Sequence, residues 1–312
     1  MKKILLFEKH SLYRDSMKVY GYLFGAEDLD SCEKTLAIIG GMRGNEFTQM
    51  YEASEIVRRL GILEKAGKVT QGKGILVIPA ANPYSINSEK RFWPTDNTDI
   101  NRMFPGYDKG ETTQRVAAAL FEILDDFEYG IHLTSHYISG SFIPHVSIQI
   151  TNNEYYESAS DFGLAYVRLR KPSHYDTTTL NYNWQIWNTK AYSIYGGTDK
   201  TIDREASELV VNAVLNFMDH RGLVQFNHHR GYISRLVTEE DLIVVKSDVA
   251  GFLDCKVRTG EFVRKGQNIA RILDVGDGHV KTEIQAEEDS TVFFVQSNPL
   301  AFAGGQLMIL LK

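Results

Sequence analysis

Residues 36–46 read Leu-Ala-Ile-Ile-Gly-Gly-Met-Arg-Gly-Asn-Glu. An apolar run stops at two glycines. From Phe47 onward the apolar residues Phe47, Met50, Tyr51, Val57 and Leu60 recur at three- and four-residue steps or their multiples. This predicts a strand, a glycine-rich turn and an amphipathic helix. Turns of this kind at the carboxyl ends of parallel strands are where open α/β sheets place ligands, because glycine lets a backbone approach closely. Neither GxGxxG nor GxxxxGK[ST] is present, so a nucleotide would be suggested by fold alone.

Outward from this turn, further short β-type runs are read at Thr35 to Ile39, Ile75 to Pro79, Gly130 to Leu133, Val146 to Ile150 and Tyr192 to Ile194. Helical stripes separate them. Val116, Leu120, Ile123, Leu124 and Phe127 form one; Ala206, Leu209, Val210, Ala213, Val214 and Phe217 form another, opened by Asp203 as N-cap with Glu205 in the first turn. The alternation predicts an α/β domain over residues 1–225, with a mainly parallel sheet flanked by helices. After Gly222 the helical period disappears, and Val- and Ile-rich runs punctuated by Gly231, Gly251, Gly260, Gly266, Gly276, Gly278, Gly304 and Gly305 predict a smaller all-β barrel or sandwich over 226–312.

Composition narrows the function. The chain has 312 residues, 43% hydrophobic, with 34 Lys and Arg against 40 Asp and Glu for a formal charge of −6. That excludes wholesale disorder and argues against sequence-independent binding of nucleic acid. Two cysteines, Cys32 and Cys255, lie far apart, as in a reducing compartment. The apolar run from Ile4 ends at Glu8, too short for a secretory signal or a membrane span. The expectation is a cytoplasmic protein with no membrane partner.

Three places carry chemistry. The segment Asn82 to Gly106 holds Arg91, Asn101 and Arg102, and paired guanidiniums beside amides suit a carboxylate or a developing oxyanion. Exposed arginines, however, commonly make ordinary surface ion pairs. His132 ends a strand and is followed by His136 and His145. A strand-end histidine suits a metal, although alone it is more often a hydrogen-bonded core residue. The third place is the glycine turn itself, with Arg43 and Glu46.

In order along the chain, GlyGlyMetArgGlyAsnGlu at 40–46, AsnPro at 82–83, ArgPhe at 91–92, AsnArgMetPhePro at 101–105, His132 and TyrGlyGly at 195–197 resemble the succinylglutamate desuccinylase and aspartoacylase family, zinc amidohydrolases related to zinc carboxypeptidases. The resemblance implies a carboxypeptidase-like domain followed by a β domain. It also implies a deacylase acting on a small N-acyl amino acid. Glu46 and His132 match two zinc ligands, Arg91 the oxyanion-stabilising arginine, and Asn101 with Arg102 the clamp for the substrate carboxylate. Zinc in such a site makes bound water acidic enough to attack an amide.

The departures fall on the chemistry. Arg43 stands where the family has its first zinc-binding histidine, and a guanidinium cannot ligate a metal. Tyr195 stands where the family has its catalytic glutamate, and a phenol is a poor general base at neutral pH, at most a proton donor. Position 130, two before the metal histidine, is glycine instead of an acid. Two arrangements stay open. Arg43 pairs with Glu46 and takes the place of zinc, or Arg43 turns to solvent while Glu46, His132 and His136 rearrange around a metal. The corresponding functions are a zinc deacylase and a metal-free pocket holding a small carboxylate, with self-association left open. Asp199 is a further base candidate by proximity in sequence. Asp176 to Thr189, with Trp184 and Trp187, is read as an aromatic loop, packed on the core or lying over the pocket. The turn near Val263 to Gln267 resembles a biotinyl- or lipoyl-type fold, but Lys281 lacks the flanking pattern of a carrier lysine.

Overall fold

The computed structural model describes residues 1–312 except 11, 12, 14, 153, 154, 200 and 227–230. Its first two strands, β1 (Lys2–Lys9) and β2 (Met17–Phe24), form an antiparallel hairpin at one edge of a large sheet. There follow β3 (Glu33–Ile39), α1 (Phe47–Lys65), β4 (Lys73–Ile78), α2 (Pro83–Asn87), α3 (Thr112–Leu124) and β5 (Tyr129–Leu133). Next come β6 (Gly140–Gln149), α4 (Tyr156–Ala159), β7 (Tyr166–Arg170), α5 (Leu180–Ile186), β8 (Lys190–Thr198), α6 (Arg204–His220) and β9 (Arg235–Val237).

The sheet runs β1-β2-β4-β3-β5-β8-β6, with β7 and then β9 paired beyond β6. Its centre, β4-β3-β5-β8, is parallel, as is the β6-β7-β9 group. The pairings β1-β2, β2-β4 and β8-β6 are antiparallel, so the expected mainly parallel sheet is mixed, with a parallel centre. The N-terminal hairpin escapes a reading by period because β1 is only half-buried and β2 carries glycine at 21.

Two apolar clusters cover the two faces. On one, Ala53, Ile56 and Leu60 of α1 and Val210, Val214 and Phe217 of α6 pack on Leu36, Ile38, Ile131, Val146, Ile148 and Ile194. On the other, Val116, Leu120 and Leu124 of α3 and Leu180 and Trp184 of α5 pack on Ala37, Ile39, Leu76 and Ile78. Burial of these stripes, at about 25 cal/mol per Å² of apolar surface, is the main force holding helices to sheet. The segment 176–189, expected as a loop, is a 3-10 turn followed by α5; Thr179 caps the helix and Trp184 is buried, its indole N–H donating to the Leu124 carbonyl. Few apolar residues of α5 recur at helical spacing, because its buried polar residues are held by side-chain hydrogen bonds.

The C-terminal strands are β10 (Leu242–Lys246), β11 (Gly251–Cys255), β12 (Phe262–Val263), β13 (Asn268–Leu273), β14 (Val280–Gln285), β15 (Ser290–Gln296), β16 (Leu300–Ala301) and β17 (Gln306–Leu311). They form a sandwich. β14-β13-β11-β16 make a separate antiparallel sheet, while β15-β17-β10 continue the large sheet through the pairing of β15 with β6. Val263, Ile269, Ile272, Val292 and Leu310 fill the space between. Lys281 on β14 donates to the Ala250 carbonyl. No helix among the described residues is long and apolar enough to cross a membrane.

Candidate active site

The turn after β3 is fixed by the segment that follows β4. The Asn82 backbone N–H donates to the Gly41 carbonyl at 3.1 Å, and its side-chain amide donates to the Met42 carbonyl at 3.3 Å. Asn82 also caps α2, with Pro83 at the first helical position. Gly44 has no room for a side chain: a Cβ there would lie 2.0 Å from the Ser85 carbonyl oxygen. The turn thereby places Arg43 and Glu46 under the carboxyl ends of β3 and β5.

Both are buried, and they meet. Arg43 Nη1 donates to Glu46 Oε1 at 3.0 Å, and Arg43 Nε donates to both Asp99 oxygens at 3.1 and 2.9 Å. Glu46 Oε1 also accepts from the Ser135 backbone N–H at 3.1 Å and the Ser135 hydroxyl at 2.9 Å, while Oε2 accepts from the Arg43 backbone N–H at 3.0 Å. Burial works against the Arg43 charge, yet Asp99 and Glu46 outweigh it and keep the guanidinium ionised more firmly than usual. Burial likewise opposes charge on Glu46, but Arg43 above all, with the Ser135 N–H, holds its carboxyl below the ordinary range. Asp99, to which the sequence gives no role, is the second anchor of Arg43; it also caps the turn at 100–102 by accepting from the Asn101 N–H.

His132, on β5, lies next to this group. Its Nδ1 is 2.8 Å from Asn181 Oδ1 on α5, so the ring's proton sits on Nδ1, and the buried Nε2 has no hydrogen-bond partner. Burial pushes its pKa down to about 4, leaving a neutral imidazole. The glycine at 130 has a packing cause: a Cβ there would lie 2.7 Å from the Trp184 ring. The indole fills the place of the family's acid, and Asn181 from the same helix orients the histidine.

A three-ligand zinc site does not fit this donor set. Arg43 is not solvated but pinned between two carboxylates, and Glu46 has donors on both oxygens. His136 Nδ1 accepts from the Ile138 N–H at 3.3 Å and joins no cluster with Glu46 and His132. Among the described residues, the only three metal-ligating side chains whose atoms lie within 4.8 Å of one another are Asp274, Asp277 and His279, exposed or half-exposed in the turn before β14. Arg43 pairs with Glu46 and does not turn to solvent.

Beside this corner lies a cavity of about 320 Å³. Strand register explains its floor. His132 pairs with Ser193 on β8, Ser193 with Ser147 on β6, and Ser147 with Arg168 on β7, so one polar row crosses four strands. The next rows are Tyr195 with His145 and Gln149 with Arg170. All eight line the cavity, whereas the alternate residues Val146, Ile148, Val167 and Leu169 face the apolar cluster behind. Val244, Gln306 and Ile309 of the C-terminal sandwich also line it.

Arg91, Asn101 and Arg102, expected as a clamp, all line the cavity, with most of their groups engaged by the protein itself. Arg91 Nη1 donates to the His136 carbonyl at 3.1 Å and Nη2 lies 3.8 Å from Asp99; burial, then Arg43, pushes its pKa down to about 10. Arg102 donates to the Tyr175 carbonyl and lies 3.6 Å from Asp176. Asn101 Oδ1 accepts from the Leu180 N–H, fixing the start of α5. Tyr195 lines the cavity, but Asp199 does not: it accepts from the Ser139 hydroxyl in a separate small void behind Tyr195. Arg43, Arg91, Arg102, Arg168, Arg170 and Lys171 line the cavity against only Asp176 and Glu239. Arg170 is paired with Asp176 at 2.8 Å, and Arg168 has no carboxylate within 4 Å among the described residues, its buried Nε being unpartnered. The excess of guanidinium makes this a place for an anion. Sequence reasoning missed Arg168 and Arg170; the alternation Val-Arg-Leu-Arg at 167–170 was the available sign of a strand with one polar face.

Residues 32–220, more than half of the chain, match the succinylglutamate desuccinylase/aspartoacylase catalytic domain. The N-alpha-acetyl-L-2,4-diaminobutyric acid deacetylase of Halomonas elongata is 24% identical over 273 residues, 83% of this chain and 76% of that protein. A succinylglutamate desuccinylase/aspartoacylase structure from Rhodobacter sphaeroides superposes with a TM-score of 0.78 at 20% identity, covering 95% of this chain and 89% of the other. The product-bound ectoine utilization protein EutE (DoeB) of Ruegeria pomeroyi gives 0.80 at 16% identity, over 99% and 94%. The mixed sheet and the antiparallel C-terminal sheet are thus a shared architecture. By its sequence, in the segment that builds the cavity corner, the chain belongs to the succinylglutamate desuccinylase/aspartoacylase family of acyl amino acid deacylases.

Proposed function

We propose that the cavity takes a small N-acyl amino acid by its carboxylate, and that it does so without zinc. The observation that carries this is the buried ion group in which Arg43 bridges Glu46 and Asp99 where a metal would need Glu46 free. Arg102, at the cavity wall, holds the ligand carboxylate together with the Asn101 amide group. Arg91 polarises the acyl carbonyl, and Arg43 supplies a fixed positive charge at the corner. Tyr195 serves as a hydrogen-bond or proton donor. The ligand class is supported by family membership and by the deacetylase from Halomonas. Deacylation itself is the second reading, favoured by the same membership and by the free Nε2 of His132 in the cavity. A cytoplasmic site of action is supported by two unpaired cysteines.

Calorimetry with a panel of N-acetyl amino acids tests the ligand, and elemental analysis of untagged protein tests the metal. The expected result is binding that chelator does not abolish, no stoichiometric zinc, and a loss of about 10-fold or more on Arg102→Ala, as for a charged hydrogen bond. Stoichiometric zinc whose removal abolishes binding overturns the metal-free part. Failure of the whole panel to bind overturns the ligand class. Acetate release by the metal-free protein establishes the second reading.

A further inference from the structure

The floor of the cavity holds an imidazole for which the family pattern has no use. His145 on β6 is the direct cross-strand neighbour of Tyr195, the position that departs from the family's glutamate, and the two rings stack 5.3 Å apart at 10°. His145 Nδ1 lies 2.8 Å from the carbonyl of Ile143 on its own strand. A carbonyl only accepts, so Nδ1 carries the proton and Nε2 keeps a lone pair. That Nε2 is buried and has no hydrogen-bond partner, in a residue that lines the cavity. Burial above all, with Arg168 nearby, pushes the ring's pKa down to about 3, so it is a neutral acceptor throughout the physiological range.

A buried acceptor without a donor is costly, and the surrounding groups offer it none. The guanidiniums of the walls are donors arranged for an anion. A ligand that is a carboxylate and nothing else would satisfy them and leave His145 alone, whereas a ligand that joins a carboxylate to an N–H answers both. We propose that His145 is a specificity-determining residue that accepts a hydrogen bond from the amide N–H of the bound ligand, selecting N-acyl amino acids over O-acyl hydroxy acids of the same shape. The assignment rests on the ligand class proposed above. It gives the Tyr195 ring a part as well: stacked against His145, it holds the imidazole plane in place.

The test uses pairs that differ only in N–H against O: N-acetyl-L-alanine with O-acetyl-L-lactate, and N-acetyl-L-glutamate with O-acetyl-L-2-hydroxyglutarate. Calorimetry on the full chain should show the N-acyl member binding at least about fivefold tighter, the lower end of what an unpaired buried acceptor costs. In His145→Phe, which keeps the stacked ring, the preference should fall to near one; in His132→Phe it should persist. Equal binding of both members by the unaltered protein overturns the assignment, as does a preference that survives His145→Phe or disappears in His132→Phe. A readout free of any substitution is the ¹⁵N resonance of His145 Nε2, which should move on adding the N-acyl ligand and stay with the O-acyl one; the reverse is a refutation. If neither member of either pair binds, the ligand class fails first and this assignment with it; equal binding leaves the ligand class standing and removes only the role of His145.

Discussion

Replacing Arg43 by alanine removes the single cation between two buried carboxylates. Arg43 is 4% exposed, Glu46 0% and Asp99 9%, so water does little to screen what is left. Glu46 keeps the Ser135 N–H and hydroxyl, and Asp99 keeps Arg91 at 3.8 Å, but neither keeps an ion pair of normal length. Breaking a buried pair from one side costs about 3–5 kcal/mol, because an uncompensated charge remains. Arg43→Ala should therefore lower the free energy of chemical unfolding by about that amount at neutral pH.

The pH dependence gives the sign. In the unaltered protein Glu46 and Asp99 titrate below their ordinary range, so the stability they contribute is present above their unfolded values and lost as pH falls. Without Arg43 the burial that now opposes their ionisation prevails and both values rise above the unfolded ones. Protonation then relieves the variant, and its deficit should shrink as pH is lowered from about 7 toward 5, near the upper end of ordinary carboxylate titration. Adding Glu46→Gln to Arg43→Ala should recover part of the loss at pH 7 by removing one stranded charge. A deficit under about 1 kcal/mol, the size of an exposed ion pair, or one that does not change with pH, would refute the buried-triad account.

Gly130→Asp, which restores the family's acid, places a Cβ 2.7 Å from the Trp184 ring, and overpacking of this kind should cost about 1–3 kcal/mol in denaturant unfolding; an unchanged midpoint would show that α5 yields without cost. Glu52 is buried on α1, and burial raises its carboxyl well above its ordinary value, so it opposes folding increasingly as pH rises above 4.5. Glu52→Gln should accordingly stabilise the protein at pH 7 to 8 and lose that gain in acid; thermal unfolding across pH checks it, and destabilisation at pH 8 contradicts it. Arg168→Met should raise the unfolding midpoint, because an unpaired, largely buried guanidinium is removed, while weakening the binding of N-acyl amino acids. A variant that loses stability instead would mean that Arg168 is paired in the free protein.

Much of the site's address is local and therefore legible in the chain. The glycine turn at 40–46 needs its residue types for close packing on Ser85, whatever surrounds it, and Asn82 with Pro83 writes its own helix start. The helical stripes of α1, α3 and α6 declare their buried faces by period alone. The same holds for the all-β character after Gly222 and for the substitutions at 43, 130 and 195, each visible as a departure from the family's pattern.

What those substitutions do is not local. Arg43 could have turned outward; it is Asp99, 56 residues away, and Ser135, 89 residues from Glu46, that hold the group inside. Glycine at 130 reads as a missing acid until Trp184 is seen filling its space. Alternation marks one face of β6 and of β7 as polar, but whether that face meets water or a cavity depends on strands paired across the whole sheet. The register that aligns His132, Ser193, Ser147 and Arg168 sets it, together with the C-terminal strands that close over them. Sequence by itself determined the central strands, the glycine turn and the helices α1, α3 and α6, because backbone propensity and periodicity act over a few residues. Only the tertiary structure decided which charges face each other, because Coulomb and hydrogen-bond energies depend on distance in space and not on separation along the chain.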